Sequence, residues 1–147
     1  MNRRLLQVVV SVVALNAILA GGIYLLRGLD GLSLTGSKLS IDRTNPSWST
    51  IDYLLRAMAG IWITLGLMFA YLVRSIERHT AWFRFCCLAV FSMGLGRLCS
   101  IWALGSHSNP VFAVVLELVI PPLLILWQSR VAQAVKPSRV AAAARPT

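Results

Sequence analysis

The stretch SMGLGRLCSIWALGSHSNPVFAVVLELVIPP, residues 92–122, joins the end of one apolar segment to the start of the next through a short polar hairpin. Arg97 lies seven residues before Leu104, and Glu117 lies seven residues after Pro110. If both segments are membrane helices joined outside the bilayer, the two charges lie at the same depth, about 10 Å from that surface at the usual helical rise. Because an unpaired charge in hydrocarbon is costly, we predict that Arg97 and Glu117 form an ion pair.

The composition is typical of a membrane protein. Of the 147 residues, 57% are hydrophobic and 13% are charged, and the mean hydropathy is +0.72. A soluble domain is about half apolar and a quarter charged. The net charge is +9, but the basic residues lie at the ends of the apolar segments. That placement follows the topology rule for membrane proteins, so we expect no nucleic-acid partner.

Four apolar segments are long enough to span a bilayer. We predict spans at residues 5–26, 51–73, 81–104 and 110–128, an outer loop at 27–50 and a disordered basic cytoplasmic tail at 133–147. A cleaved signal peptide is the alternative for the first span, but Ala17 to Ala20 is only a loose cleavage site. The predicted fold class is therefore all-α, a polytopic four-transmembrane-helix bundle formed by residues 1–132.

The distribution of basic residues predicts the orientation of the bundle. With the N-terminus inside, the cytoplasmic side has nine basic residues and one acid, Glu77, whereas the outer side has three of each. Basic residues favour the cytoplasmic side, so both termini are predicted to be cytoplasmic. The nine are Arg3, Arg4, Arg74, Arg78, Arg84, Arg130, Lys136, Arg139 and Arg145.

Four charged residues inside the spans are candidates for one polar layer in the outer leaflet. Asp52 lies one helical turn from Arg56 and can pair with it, near the depth of Arg97 and Glu117. The layer has two interpretations. Paired charges can fix which helices face each other, or they can form a small outward-opening site for an anionic head group or a polar molecule. Arg56 alone could instead snorkel to the outer interface.

Small residues repeat every four positions beside each arginine, which predicts close helix contacts. They are Gly60 and Thr64 after Arg56, and Ser92, Gly96 and Ser100 around Arg97.

Three further features make local predictions. Pro121 and Pro122 cannot donate hydrogen bonds within their helix, which predicts a kink beside Glu117. Asn16, in the middle of the first span, is predicted to make an interhelical hydrogen bond. Ser49 and Asp52 have the spacing of a capping box, so the second helix should begin near Thr50.

Motifs for catalysis or metal binding are absent from the sequence, which has no phosphate loop, nucleophile elbow or metalloprotease motif. Cys86 and Cys87 lack metal-ligand spacing and are interpreted as packing residues. His79 and His107 lie in turns on opposite sides of the predicted bilayer, which argues against haem ligation. We therefore expect no enzymatic activity, no metal and no cofactor.

Three stretches resemble a known family. They are IDYLLRAMAGIWITLGLMFAYLVRSIERH from Ile51, FRFCCLAVFSMGLGRLCSIWALG from Phe83 and NPVFAVVLELVIPPLLILWQSRVA from Asn109. They are similar to the bacterial family of small four-span membrane proteins catalogued as domain of unknown function 4345.

In that family the second span opens with an acid and an arginine, the third carries G-x-x-R, and the fourth has a glutamate before paired prolines. The matching residues are Asp52 and Arg56, Gly94 and Arg97, and Glu117 with Pro121 and Pro122. The resemblance covers about residues 5–132. It implies a four-span architecture in the bacterial inner membrane, and no particular activity.

Three functions are compatible with these observations. The first is an accessory protein that docks on a membrane-protein partner or on a second copy of itself. The second is binding or transport of an anionic lipid or amphipathic small molecule through the Arg56, Arg97 and Glu117 layer. The third, with the least support, is a quinone-associated redox subunit.

Overall fold

The computed structural model describes residues 3–34, 42–104 and 111–143. Helix α1 (Arg3–Arg27) leads into a 3-10 turn (Gly28–Asp30) and the single turn of α2 (Gly31–Leu34). Helix α3 (Ser47–Leu72) ends in a second 3-10 turn (Val73–Ser75), and α4 (Thr80–Leu104) and α5 (Val111–Ala143) follow. The described part of the chain contains no strand, so the fold is all-α as predicted.

Four helical segments are long and apolar enough to cross a membrane. They are Arg3–Leu34, Ser47–Ser75, Thr80–Ala103 and Val111–Ala134. In each, at most 22% of the most apolar window is buried inside the protein. A hydrocarbon solvent favours helices, because their backbone polar groups are hydrogen-bonded internally. It also favours apolar side chains on the outer surface, as seen here. The four segments overlap the four predicted spans.

Two predicted boundaries differ from the structure. Helix α3 begins at Ser47, directly after Pro46, and the Ser49 hydroxyl donates to the carbonyl of Pro46. The predicted start near Thr50 and its capping box are therefore wrong. Helix α5 continues to Ala143, so residues 133–143, expected to be disordered, are helical. Alanine is the best helix former, which favours this extension. Residues 144–147 of the predicted tail lie outside the described residues.

Helix α5 runs through Pro121 and Pro122 as one continuous helix. The prolines therefore do not end it, and the kink predicted at this point stays a prediction.

The long helices pack as two pairs, α1 with α3 and α4 with α5, and the contacts between the pairs are fewer. Glycine permits the close approach of α1 and α3. A Cβ at Gly21 would lie 2.9 Å from the carbonyl oxygen of Ala59, and one at Gly66 would lie 2.9 Å from that of Ala14. These backbone contacts leave no room for a larger residue.

Gly60 and Gly96, which were predicted to make close helix contacts, face open space. A Cβ at either position would have no atom within 4 Å outside its own helix and neighbours. The predicted small-residue contacts at these two positions are therefore wrong. Gly96 faces a cavity between the helix pairs, and Gly60 meets no neighbouring helix.

The largest buried cluster lies towards one end of the bundle. We call it the terminal end, since α1 begins there and the turn between α3 and α4 lies there. The ring of Phe69 meets that of Phe83 edge-on at 5.9 Å. Cys86 and Cys87 are each 1% exposed, as expected for packing residues. The cluster comprises Leu6, Val10, Ala14, Phe69, Leu72, Ile76, Phe83, Cys86, Cys87, Leu124 and Val131.

Gln128 connects α5 to the turn between α3 and α4 through hydrogen bonds. Its side chain is fully buried, and Nε2 donates to the carbonyl of Ile76 at 3.1 Å and to Oγ1 of Thr80 at 2.8 Å. Towards the opposite end, which we call the loop end, cavities occupy the space between the two helix pairs.

Candidate functional site

Arg97 of α4 and Glu117 of α5 are in contact, with Nη1 2.9 Å from Oε1. The arginine side chain is 42% exposed and that of the glutamate 12%. Glycine at position 94 permits the approach, since a Cβ there would lie 2.9 Å from Cβ of Glu117. The second oxygen, Oε2, is buried and has no hydrogen-bond partner among the described residues. Arg97 is therefore the main group that balances the buried carboxylate.

Arg97 also touches the other helix pair. Its guanidinium carbon lies 5.3 Å from the ring centre of Trp62, on α3. A cation this close to an aromatic face is attracted to it. One side chain therefore contacts both α5 in its own pair and α3 in the other.

Asp52 and Arg56 form a second pair, which holds the end of α1. Nε of Arg56 lies 2.7 Å from Oδ2 of Asp52. Nη1 donates to the carbonyl of Leu25 at 2.7 Å, and Oδ1 of Asp52 accepts from the backbone amide of Leu29 at 2.8 Å. The last carbonyls of a helix lack partners within it. The pair therefore caps α1, and Arg56 is bound by α1 instead of extending alone to the surface.

Gly28 is required where Asp52 meets the turn. Its φ is +56°, in the left-handed region that favours glycine. A Cβ at this position would overlap the Asp52 carboxylate. The sharp turn after α1 therefore depends on Gly28 and on the acid facing it.

The four predicted site residues are brought together as two pairs that line different cavities. Asp52 and Arg56 line a small cavity at the loop end. Arg97 and Glu117 line two larger cavities between the helix pairs. The single shared layer expected from the sequence is thus divided, because Asp52 and Arg56 turn towards the end of α1.

The two larger cavities adjoin each other, and together we call them the inter-pair cleft. The first, of about 330 Å³, is lined by all four long helices and includes Glu117. The second, of about 410 Å³, includes Arg97 and Gly96. Trp62 and Met93 line both cavities. The cleft walls are mainly apolar, with the charged pair between the two chambers.

Asn16 lines the first chamber, and its predicted interhelical hydrogen bond is not formed. Its side chain is exposed and makes no hydrogen bond within the described residues. Position 16 therefore faces the cleft and is not packed against a neighbouring helix.

Trp62 was not identified from the sequence, although a usable signal existed. Tryptophan in membrane proteins concentrates at the two ends of a span. Trp62 lies near the middle of the span predicted at 51–73, which is an unusual position. Met93 gave no such signal, because a methionine inside an apolar run is ordinary.

Residues 3–34, 42–104 and 111–143 contain no group of three or more histidine, cysteine, aspartate or glutamate side chains placed to hold a metal ion.

No curated protein and no solved structure matches this chain. The family model described as Domain of unknown function (DUF4345) matches residues 5–128. That range includes both charge pairs and the residues that line the inter-pair cleft. The chain therefore belongs to the family defined by domain of unknown function 4345.

Proposed function

We propose that this chain is a non-enzymatic, multi-pass protein of the bacterial inner membrane that binds an amphipathic molecule in the inter-pair cleft. Both termini are cytoplasmic in this proposal. The excess of basic residues near the terminal end supports the orientation, since Arg74, Arg78 and Arg84 accompany the basic start of α1.

The observation that carries the proposal is the unpartnered amide of Asn16 in the mainly apolar wall of the first chamber. A polar group within a span is costly when nothing satisfies it, because hydrocarbon offers no hydrogen bond. A ligand with a polar group would remove that cost. The chambers, of about 330 and 410 Å³, have the size of small-molecule sites.

Arg97 supports a ligand with an anionic or hydrogen-bonding head. A guanidinium has five donors, and the contact with Glu117 uses one of them. The side chain remains 42% exposed. The head of the ligand would bind at Arg97 while its apolar part fills the chamber beyond Trp62 and Met93. A quinone is one such ligand, and a purified chain that carried one would show its ultraviolet absorption.

The test is a substitution that fills the cleft without disturbing the fold. A leucine at Gly96 would project into the second chamber, where a Cβ meets no atom within 4 Å. Gly60→Leu is the matched control, because Gly60 is equally open but does not line the cleft. The probe is a fluorescent anionic amphiphile, dansyl-undecanoic acid, titrated into protein in lipid nanodiscs.

We expect Gly96→Leu to weaken binding of this probe roughly tenfold or more, because the leucine side chain would occupy the chamber in which the anionic head reaches Arg97. Gly60→Leu should bind like the wild type. Equal binding by all three proteins, or no binding by the wild type, would refute the proposed function. If Gly96→Leu alone binds the probe weakly, native mass spectrometry of wild-type protein extracted from membranes would identify the natural ligand.

A second function, docking on another membrane protein or on a second copy, is supported by Gly22 and Gly60. Neither would bring a Cβ within 4 Å of another part of the protein. Small residues facing outward allow a further helix to approach closely. If the protein has this docking function, Gly60→Leu should reduce copurification with the partner. Gly96→Leu should leave that copurification unchanged, because Gly96 faces the cleft.

A further inference from the structure

A third cavity, at the loop end, differs in chemistry from the inter-pair cleft. It has a volume of about 200 Å³ and is lined by Arg27, Leu29, Asp30, Arg43, Trp48, Asp52 and Arg56. We call it the loop-end cavity. We propose that it binds a phosphate-type oxyanion, the chemistry that a phospholipid head group shares with free phosphate. This site is separate from the cleft and does not depend on the function proposed for it.

The charges that line the loop-end cavity leave one cation in excess. Asp30 pairs with Arg43 at 2.6 Å, and Asp52 pairs with Arg56 at 2.7 Å. Arg27 makes no hydrogen bond or ion pair within the described residues. Two carboxylates therefore balance two of the three guanidinium groups, and the charge of Arg27 is available for an anion.

The three arginines come from different segments, which favours an anion with several acceptors. Arg27 ends α1, Arg43 precedes α3, and Arg56 lies within α3. Guanidinium groups that approach from separate backbones suit a tetrahedral oxyanion, whose oxygens point in different directions. A carboxylate presents only two oxygens in one plane. The small volume also fits a phosphate group better than a bulky organic anion.

Two of the arginines already contact other groups of the protein in the absence of a ligand. Arg56 is fixed by Asp52 and by the carbonyl of Leu25. The guanidinium carbon of Arg43 lies 6.0 Å from the ring centre of Trp48, in addition to its contact with Asp30. Donors that are already oriented lose less conformational entropy on binding.

The C-terminal end of α1 opposes an anion, because the free carbonyls of a helix end carry partial negative charge. Arg56 offsets this effect. Its Nη1 donates to the carbonyl of Leu25 at 2.7 Å and approaches that of Leu26 at 3.4 Å. The arginine therefore neutralises part of the negative potential at this helix end.

The test removes the positive charge of Arg27 and leaves the Asp30–Arg43 and Asp52–Arg56 ion pairs intact. Arg27→Gln is the test variant, and Arg78→Gln, which removes one exposed positive charge at the terminal end, is the matched control. Two probes are used with the full chain. Inorganic phosphate is titrated by calorimetry in detergent, and lipid retention is measured by native mass spectrometry from vesicles of phosphatidylcholine with and without phosphatidylglycerol.

We expect Arg27→Gln to weaken at least one of these two interactions roughly tenfold, the effect of losing a hydrogen bond to a charged group. Arg78→Gln should leave both unchanged. Loss of phosphate binding would identify the free ion as a ligand, and loss of phosphatidylglycerol retention alone would identify the lipid.

The proposal is overturned if the wild type binds neither probe, or if the two variants behave alike. Failure of this site can be told apart from failure of the cleft, because the dansyl-undecanoic acid titration of Arg27→Gln reports on the cleft alone.

Discussion

Arg56 of α3 donates a 2.7 Å hydrogen bond to the backbone carbonyl of Leu25, at the end of α1. Asp52 holds the same guanidinium and accepts from the amide of Leu29. One acid and one base, a helical turn apart, thus close the C-terminal end of a neighbouring helix. Of the two interpretations that the sequence left open for the charged layer, the contacts of Asp52 and Arg56 support a structural one at the end of α1.

Replacing Arg56 with methionine should destabilise the protein. The carbonyl of Leu25 would lose its charged donor, and Asp52, whose side chain is 17% exposed, would lose its counter-ion. Because the Arg56 side chain is 41% exposed, solvent screens these contacts, so we expect a loss of about 1 kcal/mol in the free energy of unfolding. Thermal unfolding in detergent measures it. Arg78→Met, in the exposed turn at the terminal end, is the control, and equal melting temperatures would contradict the capping role.

Arg97 and Glu117 should behave as a coupled pair. Arg97→Met leaves a largely buried carboxylate without a counter-ion. The cost is about 3–5 kcal/mol in a fully buried pair, and we expect about 1–3 kcal/mol here, because the arginine is partly exposed. The double variant Arg97→Met with Glu117→Leu removes both charges and should be more stable than Arg97→Met alone. The free energies of unfolding of the wild type, both single variants and the double variant form the test cycle. Simple addition of the two single effects would show that no coupling exists.

Gly66 and Gly60 provide a matched comparison on one helix. A Cβ at Gly66 would lie 2.7 Å from Cγ1 of Ile18 and 2.9 Å from the carbonyl of Ala14. Gly66→Ala should therefore push α1 away from α3 and cost about 1–3 kcal/mol, as overpacking does. Gly60→Ala meets no atom within 4 Å and should be neutral or stabilising by up to about 1 kcal/mol. Equal stabilities of the two variants would disprove the close packing at Gly66.

The orientation of the bundle can be tested by thiol labelling in whole cells. Cys86 and Cys87 are each 1% exposed and should not react; Cys99 is replaced by alanine. In that background, Arg43→Cys at the loop end should react with a membrane-impermeant maleimide added outside. Arg78→Cys at the terminal end should react only after the membrane is permeabilised. The opposite pattern would reverse the orientation that the basic residues predict.

Local features of the site could be inferred from the sequence to different extents. Arg97 and Glu117 could be predicted to meet, because a hairpin fixes the relative depth of two residues that are equally far from it. The contacts of Arg56 with α1 could not be predicted, since they depend on the approach of a helix from another part of the chain. The open surroundings of Gly60 and Gly96 could not be predicted either, because residue spacing along a helix does not show which face has a neighbour.

The class of the protein, the number of its long helices and the approximate limits of each can be inferred from the amino-acid sequence alone. These follow from the hydropathy of runs long enough to cross a bilayer, which is a property of the chain alone. The tertiary structure decided the pairing of α1 with α3 and of α4 with α5, the separation of Asp52–Arg56 from Arg97–Glu117, and the cavities beside them. Hydrocarbon solvates any apolar helix face equally well, so hydrophobicity cannot choose among packings, and the choice falls to close contacts at residues such as Gly21 and Gly66.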